Sequence, residues 1–218
     1  MIEELRRTRG PREPQRIFSA SLPRYLQRRE TGAPQIIVEG AHWASATDLR
    51  DTLQVPEGDP NIIASFHMYA PMYFTHQGFG WMEPKYQTRG VVFPGPPAKP
   101  VVPVPAADLD PESHAWFERY NTEQAITNPG GPAAIIEQME IAKAFADRTG
   151  LRVYLGEFGA GVNGDDASRG RWTRAARTEA EKRGFGWGYW DFCRNFAAYG
   201  DLGFTGRWIP EIKAALLE

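Results

Sequence analysis

Four short apolar runs set the strongest limit on the fold. IIVEG (36–40), NIIASFHMY (61–69), LRVYLGEFG (151–159) and GWGYWDF (186–192) are rich in β-branched or aromatic residues. Runs of this length that are apolar on both sides fit strands covered on both faces, as in a parallel sheet. Helical segments separate them. Residues 132–149 open on Pro132, place Ile135, Met139, Ala142 and Phe145/Ala146 on one face, and stop at Gly150. Residues 168–183 start from Ser168 as a cap, bury Trp172 and Ala176, and stop at Gly184. A short helix is expected over 208–217, and a weaker one, interrupted by Pro23, over 15–30. Strands alternating with helices predict βαβ units and an α/β fold with a parallel sheet.

The segment 70–128 breaks the alternation. It contains APMYFTHQGFGW and VVFPGPPAKPVVPVPAADLDP, too rich in proline for a helix or a central strand. A long irregular loop is expected there, lying over the strand exits as a lid or binding loop. Its aromatic residues Tyr73, Phe74, Trp81, Phe93 and Trp116 need something to pack on or bind. The whole chain, 1–218, is expected as a single domain with residues 1–15 as an extension.

The net charge of −2 and the lack of a basic run argue against nucleic acid or an anionic membrane surface as partner. No apolar stretch approaches the roughly 18 residues of a membrane-spanning helix. The amino-terminal MIEELRRTRGPREPQR lacks the apolar centre of a secretory signal. Cys193 is the only cysteine, and no His-Glu-x-x-His or Gly-x-Ser-x-Gly motif occurs, so no metal site, no cofactor and no esterase elbow are expected.

Parallel α/β folds do chemistry at the carboxyl ends of their strands. Those ends carry Glu39, His42 and Trp43; then His67 and Tyr69; then Glu157; then Trp190 and Asp191. Glu157 is the residue to explain, because a bare carboxylate at the mouth of a buried strand costs several kcal/mol unless something pairs with it. Singly, each residue has a structural explanation: an ion-pair glutamate, a core histidine, core tryptophans. Together they suit sugar chemistry. Carboxyl groups act as nucleophile and acid/base, indole rings stack on pyranoses, and His and Tyr bond hydroxyl groups.

The succession IIVEGAHW, NIIASFHMYAPMYFTHQGFGW, VYLGEFGA and GWGYWDF…YG resembles the carboxyl-terminal half of glycoside hydrolase family 5, the cellulase-like barrels. The resemblance runs from about residue 15 to the end and implies half of a (β/α)8 TIM barrel, about four parallel βα units. It implies a retaining β-glycoside hydrolase acting on β-linked oligo- or polysaccharide, with Glu157 of GEFG as nucleophile. His67 and Tyr69 of FHMY match the pair that orients the nucleophile and contacts the sugar. Trp190 of YWDF matches the sugar platform, and Trp43, with His42 beside it, lies where the cleft receives its fifth strand; Trp81 joins them from the long loop. The family is typically secreted.

One departure matters. The family's acid/base glutamate sits in Asn-Glu-Pro, and no such triplet occurs here. Acid/base assistance is typically worth about 10²–10⁴-fold. The alternative reading is therefore a non-catalytic carbohydrate-binding or vestigial fragment. Four βα units also leave open sheet edges, so a homodimer is expected, burying strands 36–40 and 186–192 against a second copy.

Overall fold

The computed structural model describes residues 35–56, 59–103, 110–200 and 206–218. The chain divides into two units, Met1–Ile36 and Ile37–Glu218, and the second is the body described below. The helix expected over 15–30 and the extension 1–15 lie outside the described residues.

Four strands, β1 (Ile36–Glu39), β2 (Ile62–Met68), β3 (Arg152–Phe158) and β4 (Gly186–Tyr189), form one sheet in the order of the chain. The ladders β2–β3 and β3–β4 are parallel. The helices are α1 (Ala46–Asp51), α2 (Met72–Thr75), α3 (Pro111–Thr122), α4 (Pro132–Thr149), α5 (Asp166–Lys182) and α6 (Pro210–Leu217). Strands joined through helices are the βα units expected from the alternation of apolar runs.

Within β2, Ala64, Phe66 and Met68 are at most 1% exposed and alternate with Ile63, Ser65 and His67. The first set joins Leu155, Phe158, Leu49, Ile135, Met139, Phe145, Trp172 and Ala176 in a core beneath the helices. α1 packs on α4, α4 on α5, and α5 on α6. The second set faces the other side of the sheet, the side that carries the site.

The helix ends follow local chemistry. α4 matches its expected span, and Gly150 closes it at φ 68°, a left-handed conformation that glycine reaches without strain. α5 begins two residues before the expected Ser168. Asp165 is its cap, and its carboxylate accepts the Ser168 N–H at 2.8 Å, leaving Ser168 buried inside the first turn. α6 starts at Pro210 and not at 208, because Ile209 is held extended before the proline.

The segment 70–128 is not irregular throughout. Asp110 accepts the Ser113 N–H at 2.7 Å and Pro111 takes the first helical position, so residues 111–122 fold as α3. The Asp-Pro start signal was in the sequence, but the prolines before it dominated the reading.

Candidate active site

A bulge in β3 places Glu157. Strict alternation along Val153-Tyr154-Leu155-Gly156-Glu157 would send Glu157 to the same side as Val153 and Leu155, both buried under the helices. The register prevents this. Phe66 pairs with Leu155, but His67 pairs with Glu157, so β3 carries one extra residue at Gly156. The ladder to β4 slips over the same stretch. An extra residue inverts the alternation beyond it, and Glu157 comes to the side of Ser65 and His67.

There the carboxylate is held by two groups from β2 and its exit. The Tyr69 hydroxyl donates to Glu157 Oε2 at 2.8 Å. His67 Nδ1 stands 3.3 Å from the same oxygen. Glu157 is expected within hydrogen-bonding reach of Tyr69 or His67, and the Tyr69 bond meets that expectation. Burial, and then the negative charge of Glu157, drives the Tyr69 phenol far above its ordinary titration range. Tyr69 therefore stays protonated and donates at any pH the fold tolerates. Glu157 itself keeps about a quarter of its side chain open to solvent, enough for a ligand to reach it.

An aromatic wall backs Tyr69. Its ring meets His76 edge-on at 4.9 Å and Phe196 at 5.4 Å. His76 is buried, and burial lowers its pKa to about 4. Trp81 meets His76 edge-on at 5.7 Å, lies stacked on Phe79 at 5.3 Å, and is 58% exposed. Its ring is stacked on Phe79 while more than half of the side chain stays open to solvent. Trp190, 47% exposed, follows β4; its N–H donates to the Phe158 carbonyl at 2.9 Å, next to Glu157. A Cβ at Gly159 would lie 1.8 Å from the Trp190 carbonyl oxygen, so this approach requires glycine there.

Trp43 and His42 belong to the turn between β1 and α1. The His42 ring faces Asp48, with Nδ1 2.8 Å from Oδ1, while its main-chain N–H donates to Oδ2 at 2.8 Å. Burial pushes the Asp48 carboxyl up, but hydrogen bonds from His42 and Thr52 outweigh it and hold the group below its usual range. The turn presents Trp43 at 93% exposure, with Trp43 at φ 59° and Ala44 at φ 51°. Two successive non-glycine residues in that region are strained and persist only where the surroundings impose the conformation. The His67 N–H, donating to the Ala44 carbonyl at 2.6 Å, ties the turn to β2. Thus His67, Tyr69 and Glu157 are in direct contact, whereas Trp190, Trp81, Trp43 and His42 are linked to them through backbone or neighbouring rings.

Besides the wall of His76, Phe79 and Trp81, the long segment builds a separate cluster. Trp116 packs on Tyr73 at 4.4 Å and is stacked on Tyr120 at 4.9 Å. The hollow of about 430 Å³ beside it is lined by Tyr73, Tyr86 and Trp116, and not by Glu157, His67 or Tyr69.

The loop after β3, GAGVNG (159–164), has the Gly-x-Gly-x-x-Gly spacing of dinucleotide-binding turns. Here the glycines serve packing. A Cβ at Gly161 would lie 2.4 Å from the Phe79 ring, and the following helix opens on Asp165 and Asp166, which would repel a phosphate. Among the described residues no group of three His, Cys, Asp or Glu side chains could hold a metal ion.

A parallel sheet of βα units that presents a hydrogen-bonded carboxylate at its strand exits, with aromatic side chains around it, has its candidate site where barrels of βα units carry theirs. The family described as Cellulase (glycosyl hydrolase family 5) matches residues 28–196, and the chain belongs to it. Endoglucanase 3 of Fibrobacter succinogenes is 30% identical over 164 residues, 74% of this chain and 24% of that protein. Endoglucanase H of Acetivibrio thermocellus is 23% identical over 156 residues, 72% of this chain and 12% of that protein. Thermotoga maritima Cel5A, solved in complex with cellobiose, superposes with a TM-score of 0.64 at 26% identity, covering 93% of this chain and 54% of that one. The same enzyme has also been solved with mannotriose. The chain therefore spans about half of this solved barrel, in agreement with the half-barrel fold expected from the sequence, and a quarter or less of the curated relatives.

Proposed function

We propose that this chain serves retaining hydrolysis of a β-linked glucan, with Glu157 as nucleophile. The contact that carries the reading is the shared grip of Tyr69 and His67 on one oxygen of Glu157. In such a reaction the carboxylate attacks the anomeric carbon and the bond to the leaving oxygen breaks, that oxygen taking a proton from solvent which the water of the next step returns. Water then cleaves the glycosyl ester and restores the carboxylate. Tyr69 holds the carboxylate in line for attack, and its hydrogen bond eases as negative charge leaves Glu157. Trp190, Trp43 and Trp81 supply apolar faces for pyranose rings, with His42 at the rim. Endoglucanases among the relatives, and a neighbour solved with cellobiose, support β-linked glucose as the substrate class.

Hydrolysis of soluble cellulose by the purified chain and by Glu157→Gln tests this. The substitution is expected to abolish turnover, and unchanged turnover would remove Glu157 from the role. The absence of an Asn-Glu-Pro triplet favours a second reading, a glycan-binding module without catalysis. Calorimetry with cello-oligosaccharides separates the two, because binding heat without any hydrolysis supports the second.

A further inference from the structure

Glu39 has no part in the mechanism above, yet it is built into the site. It is the last residue of β1, and its Oε1 accepts a hydrogen bond from Ser65 Oγ at 2.8 Å. The same oxygen stands 3.4 Å from His67 Nε2. The other nitrogen of that ring, Nδ1, is the one that faces Glu157 at 3.3 Å. One imidazole therefore lies between two carboxylates, each addressing a different nitrogen. Rotating the ring by half a turn about Cβ–Cγ would put carbon where each nitrogen stands. Only one of the two orientations serves both carboxylates.

The surroundings are shaped for this chain of contacts. Ser65 and His67 stand two residues apart on β2 and so share a face. Ser65 is 1% exposed. A Cβ at position 156 would lie 2.4 Å from Ser65 Oγ and 3.4 Å from Glu39 Oε1, so the bulge glycine leaves the room these side chains occupy. The charged and titratable groups around the His67 ring are Glu39 from β1, Glu157 from β3, and the Tyr69 hydroxyl bonded to Glu157.

We propose that Glu39 is a positioning residue: braced by Ser65, it holds the His67 ring in the orientation that turns Nδ1 toward Glu157. The proposal rests on the reading of Glu157 as nucleophile for its catalytic consequence, but not for the ring orientation itself. Loss of a carboxylate that orients a metal-bound histidine typically costs about 10–100-fold, and a loss of the same order is expected for His67.

The test uses the full chain with Glu39→Ala, Glu39→Gln and Ser65→Ala, read two ways. Long-range ¹H–¹⁵N spectra report the His67 ring nitrogens, and soluble cellulose gives kcat and KM. Glu39→Ala is expected to split or displace both His67 nitrogen signals and to lower kcat at least about tenfold with KM nearly constant. Glu39→Gln keeps an acceptor oxygen and is expected to retain a single set of signals and most of the rate. Ser65→Ala should move the signals in the same direction by less, and it decides the matter if Glu39→Ala does not fold. A Glu39→Ala protein whose His67 signals match the parent overturns the proposal, whatever its rate. If Glu157→Gln retains full turnover, the nucleophile reading falls, and the ring spectra still judge Glu39 alone.

Discussion

Tyr69, bonded to Glu157, and His76, packed behind it, behave oppositely toward protons, and both behaviours come from burial. Tyr69 keeps its proton because burial and the neighbouring carboxylate both oppose a phenolate. His76, packed against Tyr69 and Phe196, refuses a proton because burial opposes the imidazolium, and its pKa falls to about 4 from an ordinary 6.5. The unfolded chain binds that proton more readily than the folded one between these values. The contribution of His76 to stability is thus fully present above pH 6.5 and is lost as pH falls toward about 4. Urea denaturation at a series of pH values should show this decline, and His76→Phe should flatten it. An equally steep decline in the variant would assign the effect to another group. The sequence exposes none of this, because THQGFGW gives no hint that the histidine is enclosed by rings from elsewhere in the chain.

The elements are held in place by one buried cation. Arg169, on α5, is 1% exposed. Its Nε donates to the Ala160 carbonyl at 3.0 Å, and an Nη donates to the Ala197 carbonyl at 2.6 Å. Its remaining Nη pairs with Asp166. The loop after β3 is thereby joined to the loop after β4, the two loops that follow Glu157 and Trp190. Arg169→Met keeps much of the stem's volume but strands both carbonyls. Each buried acceptor left unpaired costs about 1–3 kcal/mol, so a loss of about 2–6 kcal/mol is expected from the shift in the urea midpoint. An unchanged midpoint would show that water replaces the guanidinium. At this scale sequence reading did well for α4, whose proline start and glycine stop are local. It missed α3, where an Asp-Pro cap was masked by proline-rich composition, and it set the cap of α5 three residues late.

For the molecule as a whole, assembly is the open issue. β1 and β4 end the described sheet, and Ile37 on β1 is 55% exposed. Parallel strands need cover on both faces, and an uncovered edge invites pairing. The homodimer stands as a proposal: sedimentation at micromolar concentration is expected to give twice the mass of one chain, and a compact monomer would overturn it.

The sequence by itself determined the alternation of strands and helices, the parallel α/β class and the family, because short apolar runs, caps and strand-end motifs are local properties of the chain. It also brought Glu157, His67, Tyr69 and Trp190 to the strand exits, since a strand's end is readable from its composition. Only the tertiary structure decided which way Glu157 points. That depends on one extra residue in β3 measured against the register of β2, and register is a relation between strands far apart in sequence. The same holds for Glu39, which joins Ser65 and His67 only when β1 lies beside β2. Side-chain alternation can be counted along a strand, but a bulge is defined by the neighbour it slips against.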